Sequence, residues 1–355
     1  MLAEYYSIRW GMDTKYIDLS SRSRRILRAV VEQYIEEAHP VGSRTVAELS
    51  GLGLSPATIR NVMADLEEQD LLFQPHTSAG RLPTETGLRY YVGCLLEKEF
   101  LPGNIQAAIE EKLLSNRSDL VSTMRRAVHL LASFSGHAAV VKTPRFLVSN
   151  LQHLEFLKIR PGLILVIGVS RNGLVQNRFI QLDQDVSRAR LEGLSRKVNE
   201  GLVVMSFDEL RERMLRELDE EKKIVNLFLE DVLDSEDILE EQENVLVDGH
   251  INLLTHTRAA NFSMIKKLIQ ALEEKKTLLS LLEKCQESSG LQIVIGSEGL
   301  ETDIPACGMV MAPYEGPEYP LGSLGVVGPL HMNYGRAAAL VEYTAQVLSE
   351  RFKER

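Results

Sequence analysis

"LSPATIRNVMADLEEQDLLFQPHTSAGRLPT", residues 54–84, decides how this chain is read. Ser55 before Pro56 predicts a helix start. A serine hydroxyl caps a free backbone N–H, and proline at the first helical position loses no hydrogen bond. At about 100° per residue, Ile59, Val62, Met63 and Leu66 fall on one side and must pack inward. Ala57, Asn61 and Ala64 face the other way, flanked by Thr58, Arg60 and Asp65. Directly behind the helix, "LLFQP" and "RLPTE" predict two short strands around a polar loop, 76–81.

The outer face of this helix suits DNA. Its small residues allow close approach, asparagine pairs with an adenine edge, and arginine pairs with a guanine edge or a phosphate. Free N–H groups and the positive dipole end at its start favour phosphate. The helix is therefore expected to enter the major groove by its N-terminal part, as the recognition helix of a helix-turn-helix does. The hairpin is expected to rest on the backbone or minor groove. Its tip holds His76, Thr77, Ser78, Ala79, Gly80 and Arg81. Thr77 and Ser78 offer hydroxyls, Gly80 permits a tight turn, and Arg81 suits a phosphate or a narrow minor groove. The expected DNA-binding set is Ser43, Arg44, Ser55, Ala57, Thr58, Arg60, Asn61, His76, Thr77, Ser78, Gly80 and Arg81. A competing reading stays open: such units also dock proteins, Ser55 is first a structural cap, and Arg60 is placed to pair with Asp65 or Glu67.

Upstream, "SRSRRILRAVVEQYIEEA" predicts a first helix with Ile26, Leu27, Val30, Tyr34 and Ile35 inward, Ser20, Ser21 or Ser23 capping, and Pro40 stopping it. "GSRTVAELSG" predicts a second, with Ser43 as its cap, Val46 and Leu49 inward, and Gly51 at its end. A helix over 86–100 leads out and "LPGN" breaks it. Another spans 119–134. "HAAVVKTP", "LQHLEFLKIR", "GLILVIGVS" and "LVQNRFIQL" then read as an antiparallel meander with "RPG" and "RNG" turns. Beyond residue 187 the chain turns helical and charged until about 287. "LQIVIGSE", "CGMVMAPY" and "GSLGVVGP" restore strand character, and a last helix runs over 335–352.

The chain of 355 residues is 44% hydrophobic, enough for packed cores. Its net charge of −10 argues against a general nucleic-acid coat, not against one DNA-binding domain on an acidic body. The acidity is local: residues 200–243 carry 16 carboxylates and 5 basic side chains. Cys94, Cys285 and Cys307 are widely separated, which fits a reducing cytoplasm and supports neither a disulfide framework nor a zinc site. No stretch has the length of a membrane span. The first 18 residues read as a tail, with Trp10 free to dock.

Other signals are weaker. His250 and His256 lack metal-site spacing. "GSLGVVG" lacks the Lys-Ser/Thr of a phosphate loop and reads as a strand with turns. No nucleophile, base and metal set suggests an enzyme, and no cofactor is expected. The apolar stripe Ile265, Leu268, Ile269, Leu272, Leu278, Leu279 and Leu282 is either core or a dimer face.

"PVGSRTVAE", "GLGLSPATIRNVMADLEEQDLL" and "QPHTSAGRLPTETGLRYYV" together resemble the N-terminal signature of the HrcA-type heat-inducible transcription repressors of bacteria. "GLVQNRFI", "INLL", "MAPY" and "GSLGVVGPLHMNYGRAAALVEYTAQVL" extend the resemblance along nearly the whole chain from residue 19. Val62 stands where the family motif commonly has Asp. The resemblance implies an α+β multidomain protein: tail 1–18, winged helix-turn-helix 19–91, linker helix 92–115, a GAF-like domain in two parts, 116–186 and 288–355, and a mainly helical dimerisation domain inserted at 187–287. It implies a homodimeric cytoplasmic repressor that binds double-stranded DNA at an inverted-repeat operator upstream of chaperone operons. It also implies a chaperonin partner that maintains the active form, lost on heat stress, and no membrane. The GAF-like domain raises one alternative, a regulator gated by a small molecule.

Overall fold

In the computed structural model, which describes residues 18–77, 79–97, 99–114, 120–144, 151–170, 175–182, 185–204, 245–255, 262–274, 276–287, 290–296, 307–316 and 320–353, the chain begins with a three-helix head. Helix α1 (Ser21–Glu37) starts where the Ser20 hydroxyl accepts the Ser23 N–H, and ends at Ala38 in the left-handed region. It buries Ile26, Leu27, Ala29, Val30 and Val31. Helix α2 (Ser43–Leu49) is capped by the Gly42 backbone, so Ser43 is its first residue and not its cap. Val46 is buried, but Leu49 points outward at 54% exposure, because the inward position one turn after Val46 falls to Ser50, at 6%. Helix α3 (Pro56–Glu68) packs on α1 and α2 through Ile59, Val62, Met63 and Leu66, as its periodicity predicts.

Two short strands follow, β1 (Leu72–Phe73) and β2 (Leu82–Pro83), paired antiparallel. Helix α4 (Glu85–Tyr90) starts at Thr84 and runs into a π-helical turn, Tyr91–Leu95, so the expected helix over 86–100 ends early. The main chain of α4 passes so close to Leu71 that a Cβ at Gly87 would lie 2.0 Å from the Leu71 oxygen. Arg89 is buried, and its Nη1 donates to the Ile293 carbonyl at 2.9 Å. With the edge-on contact of Tyr34 and His331, this bond joins head to body, and one continuous hydrophobic cluster runs through both.

Helices α5 (Gly103–Leu114) and α6 (Leu120–Ser135) lead into the body. Its main sheet has five antiparallel strands in the order β7-β3-β10-β9-β8, namely β3 (Ala138–Lys142), β7 (Val245–Asp248), β8 (Gln292–Gly296), β9 (Cys307–Glu315) and β10 (Pro320–Gly328). One face carries Ala139, Val141, Ile293, Val310, Leu324 and Val326 in the cluster shared with α5, α6 and the final helix α11 (Tyr334–Lys353). The other face carries Val140, Val294, Met309, Met311 and Val327 in a cluster with α9 (Phe262–Glu274) and α10 (Lys276–Glu287). The short α8 (Asn252–Thr255) precedes them. "GSLGVVG" thus lies in strand β10, as read.

Strands β4 (Leu151–Arg160), β5 (Leu163–Ser170) and β6 (Val175–Gln181) form a separate three-stranded antiparallel sheet. The expected four-strand meander therefore loses its first member: β3 pairs with β10 and β7 instead. Helix α7 (Arg188–Val204) lies along β4. Asn199 and Ser195 satisfy the free edge of β4: Asn199 bridges the Leu154 N–H and carbonyl at 2.8 and 3.0 Å, and the Ser195 hydroxyl accepts the Phe156 N–H at 3.0 Å. Side chains on α7 thus occupy backbone groups that would otherwise invite another strand. The grouping of elements differs from the expected limits of 187 and 287. The separate sheet begins at Leu151, and β7, α9 and α10 belong with the five-stranded sheet. The stripe on α9 and α10 resolves to core: Leu268, Leu272, Leu278, Leu279 and Leu282 are all buried there. Trp10, the side chain of Ile265, His256 and most of the acidic run 200–243 lie outside the described residues.

Candidate nucleic-acid interface

The start of α3 is built as its sequence requires. The Ser55 hydroxyl accepts the Thr58 N–H at 3.2 Å and lies 2.9 Å from the Thr58 hydroxyl. One of the two hydroxyls donates to the other, so the pair retains a single hydroxyl hydrogen to offer outward. Ala57, Arg60 and Asn61 are exposed on the outer face, and Thr58 is half-buried beside them. Arg60 makes no ion pair among the described residues. The alternative pairing with Glu67 fails because that carboxylate is already occupied.

Its occupant is Arg81. The Arg81 Nε and Nη2 reach Glu67 Oε2 at 2.9 and 2.8 Å, and the side chain is 12% exposed. The arginine expected at the hairpin tip is drawn back onto the end of α3. Its backbone also exchanges both hydrogen bonds with Val41, at 2.9 and 3.0 Å, so residue 81 is a structural joint. Gly80 is required for a different reason from the expected turn. A Cβ there would lie 2.3 Å from the Val41 carbonyl oxygen.

The tip is ordered by a residue that the sequence reading passed over. Gln74 Nε2 donates to the carbonyls of Thr77 and Ala79 at 3.1 and 2.9 Å, and the Ala79 N–H closes a turn on the His76 carbonyl. His76 and Thr77 are exposed at the tip, and Ser78 lies outside the described residues. Arg44 is exposed and Ser43 half-buried at the start of α2. The structure therefore groups Ala57, Arg60 and Asn61 on an open helix face, keeps His76 and Thr77 at an open tip, and withdraws Gly80 and Arg81. The pairing of Glu67 with Arg81 and the role of Gln74 were missed because partners 14 and 5 residues away leave no periodic signal.

Among the described residues there is no cluster of three or more His, Cys, Asp or Glu side chains placed to hold a metal ion. None of their helices is long and apolar enough to cross a membrane.

Residues 121–338 match the family model of the HrcA protein C-terminal domain. The chain is 35% identical over 342 residues to the heat-inducible transcription repressor HrcA of Syntrophobacter fumaroxidans, covering 95% of this chain and 98% of that protein. It is 37% identical over 334 residues to the repressor of the same name from Geobacter sulfurreducens, covering 94% and 98%. Among solved structures, a hypothetical protein determined at 2.2 Å is similar, with a TM-score of 0.64, 25% identity, and coverage of 95% of this chain and 99% of that one.

Proposed function

The chain belongs to the HrcA family of heat-inducible transcription repressors, a family of non-enzymatic regulators, and from that premise we propose how it acts. It represses heat-shock chaperone operons by binding, as a homodimer, an inverted-repeat operator in double-stranded DNA. The head is a winged helix-turn-helix in which α3 enters the major groove and the β1–β2 hairpin is the wing. The five-stranded sheet with its helices is the GAF-like domain.

The observation that carries this reading is the open face of α3. Arg60 and Asn61 stand exposed beside Ala57, with the exposed hairpin tip behind them. Arg60 and Asn61 read base edges, and the Ser55–Thr58 hydroxyl pair and Thr77 hold phosphates. One head buries too little surface for tight specific binding. Two heads on a symmetric repeat add their contacts, so a symmetric dimer follows. The second copy docks on the open apolar face of β4–β6, where Leu157, Leu165 and Phe179 stand directly opposite one another across three strands. The chaperonin maintains the folded form in the cytoplasm. A loss of about 1–2 kcal/mol on heating shifts a marginally stable population several-fold and opens the operons.

The test is a fluorescence-anisotropy titration of the protein onto a chaperone-operon inverted repeat and a scrambled duplex, at two salt concentrations. Strong preference for the repeat, with Arg60→Ala costing about 1–3 kcal/mol of that preference, is expected. Equal, weak binding of folded dimer to both duplexes would overturn the reading and leave the head as a protein-docking module.

A further inference from the structure

We propose that Glu67 and Arg81 are positioning residues for operator reading: their ion pair locks the hairpin at a fixed angle to α3, so that wing tip and reading helix meet one duplex as a rigid unit. This rests on the DNA-binding reading of the head.

The hairpin has little to hold it otherwise. Its ladder is two residues per strand, which by itself is at most marginally stable. The Glu67 carboxylate supplies the missing hold on both limbs. One oxygen takes two N–H groups of Arg81 after the tip, and the other takes the Gln74 N–H before it, at 3.1 Å. Glu67 lies in the last turn of α3, so the helix that carries Arg60 and Asn61 also carries the clamp. Gln74 then holds the inside of the loop through Thr77 and Ala79, and Val41 pairs with the backbone of Arg81. Tip and helix therefore cannot reorient independently without breaking several hydrogen bonds.

The same arrangement accounts for a carboxylate close to a phosphate-binding surface. A free anion there would repel DNA. Here the anion is neutralised by Arg81, and Arg81 cannot leave for a phosphate without stranding the partly buried carboxylate.

The experiment compares E67Q, R81Q and the double variant with wild type by operator anisotropy at several salt concentrations, alongside amide hydrogen exchange over residues 72–82. A thermal melt first establishes that each variant is folded. The clamp predicts that E67Q weakens operator binding roughly five- to tenfold and R81Q does the same. The double variant is then no worse than either single, and the salt dependence keeps its slope. Exchange over 72–82 accelerates in all three.

The opposite pattern overturns the proposal. If Arg81 is a phosphate contact, E67Q frees it, removes a negative charge and tightens binding, while R81Q lowers the salt slope by about one. Should wild type show no operator preference, the DNA reading falls on its own. Unchanged exchange over 72–82 in E67Q would then overturn the clamp as well, and faster exchange would retain it as a device that orders the hairpin.

Discussion

The body contains two antiparallel sheets of similar composition and opposite treatment. The five-stranded sheet is covered on both faces, by α5, α6 and α11 on one side and by α9 and α10 on the other. In the three-stranded sheet, Leu154, Phe156, Ile164, Val166 and Ile180 are buried, and α7 packs along β4. Its other face leaves Leu157, Val175 and Phe179 exposed at 37, 62 and 64%. Apolar side chains cost nothing unusual when exposed singly, but a contiguous row of them on a sheet marks an interaction surface. One sheet builds the core. The other leaves part of its apolar surface open.

The largest effect should come from breaking the covered sheet. Leu324→Ala removes a fully buried side chain from the centre of β10 and should cost about 2–5 kcal/mol in denaturant unfolding. A cost below that range would mean that the helices close over the gap. Phe179→Glu tests the other sheet. It should leave the far-ultraviolet spectrum unchanged, convert dimer to monomer in sedimentation, and weaken operator binding roughly a hundredfold through lost bivalency. A variant that stays dimeric would place the second copy on another surface.

The thiols sharpen the same contrast. Burial pushes Cys285 and Cys307 up to about 12, both of them in the cluster under the covered sheet. Cys94 in the head is exposed. A thiol reagent at neutral pH should therefore label Cys94 alone in the native protein and all three on unfolding. Labelling of Cys285 or Cys307 well below the melting temperature would reveal local opening of the body. The smallest effect concerns the three-stranded sheet. Lys158 holds the Asp185 carboxyl below the usual carboxylate range, chiefly by a hydrogen bond at 2.6 Å, with the Gly162 N–H also donating. A depressed folded value means that this contribution is present above the unfolded value and fades as pH falls through the folded one. Asp185→Asn should thus lower the melting temperature slightly at neutral pH and not at all in strong acid. Because the Asp185 carboxylate is half in solvent, salt should shrink the difference.

The head was the most legible part of the sequence. Ser55, Pro56 and the spacing of Ile59, Val62, Met63 and Leu66 are local signals, and α3 obeys them. Strands β8, β9 and β10 were equally plain, because their apolar residues sit in short runs bounded by glycine or proline, and α11 was plain from its helical spacing of apolar residues. The partition of strands was not legible. "HAAVVKTP" and "LQHLEFLKIR" are near neighbours in sequence and both read as strands, yet β3 and β4 belong to different sheets. Periodicity gives the face of a strand and says nothing about which edge it joins. The expected DNA-binding set divided in the same way: the exposure of Ala57, Arg60 and Asn61 follows from helical geometry, whereas the withdrawal of Arg81 depends on a carboxylate 14 residues earlier.

By itself the sequence determined the helices of the head, the inward face of α3, the outward display of Arg60 and Asn61, and the family to which the chain belongs. These rest on residues within one or two turns of each other, where backbone geometry fixes direction. Only the tertiary structure decided that Glu67 clamps both limbs of the hairpin, that Arg89 ties the head to β8, and that one apolar sheet is core while the other stays open. Those outcomes depend on which distant groups meet, since a charge or an apolar face is satisfied by any complementary partner the fold brings within reach.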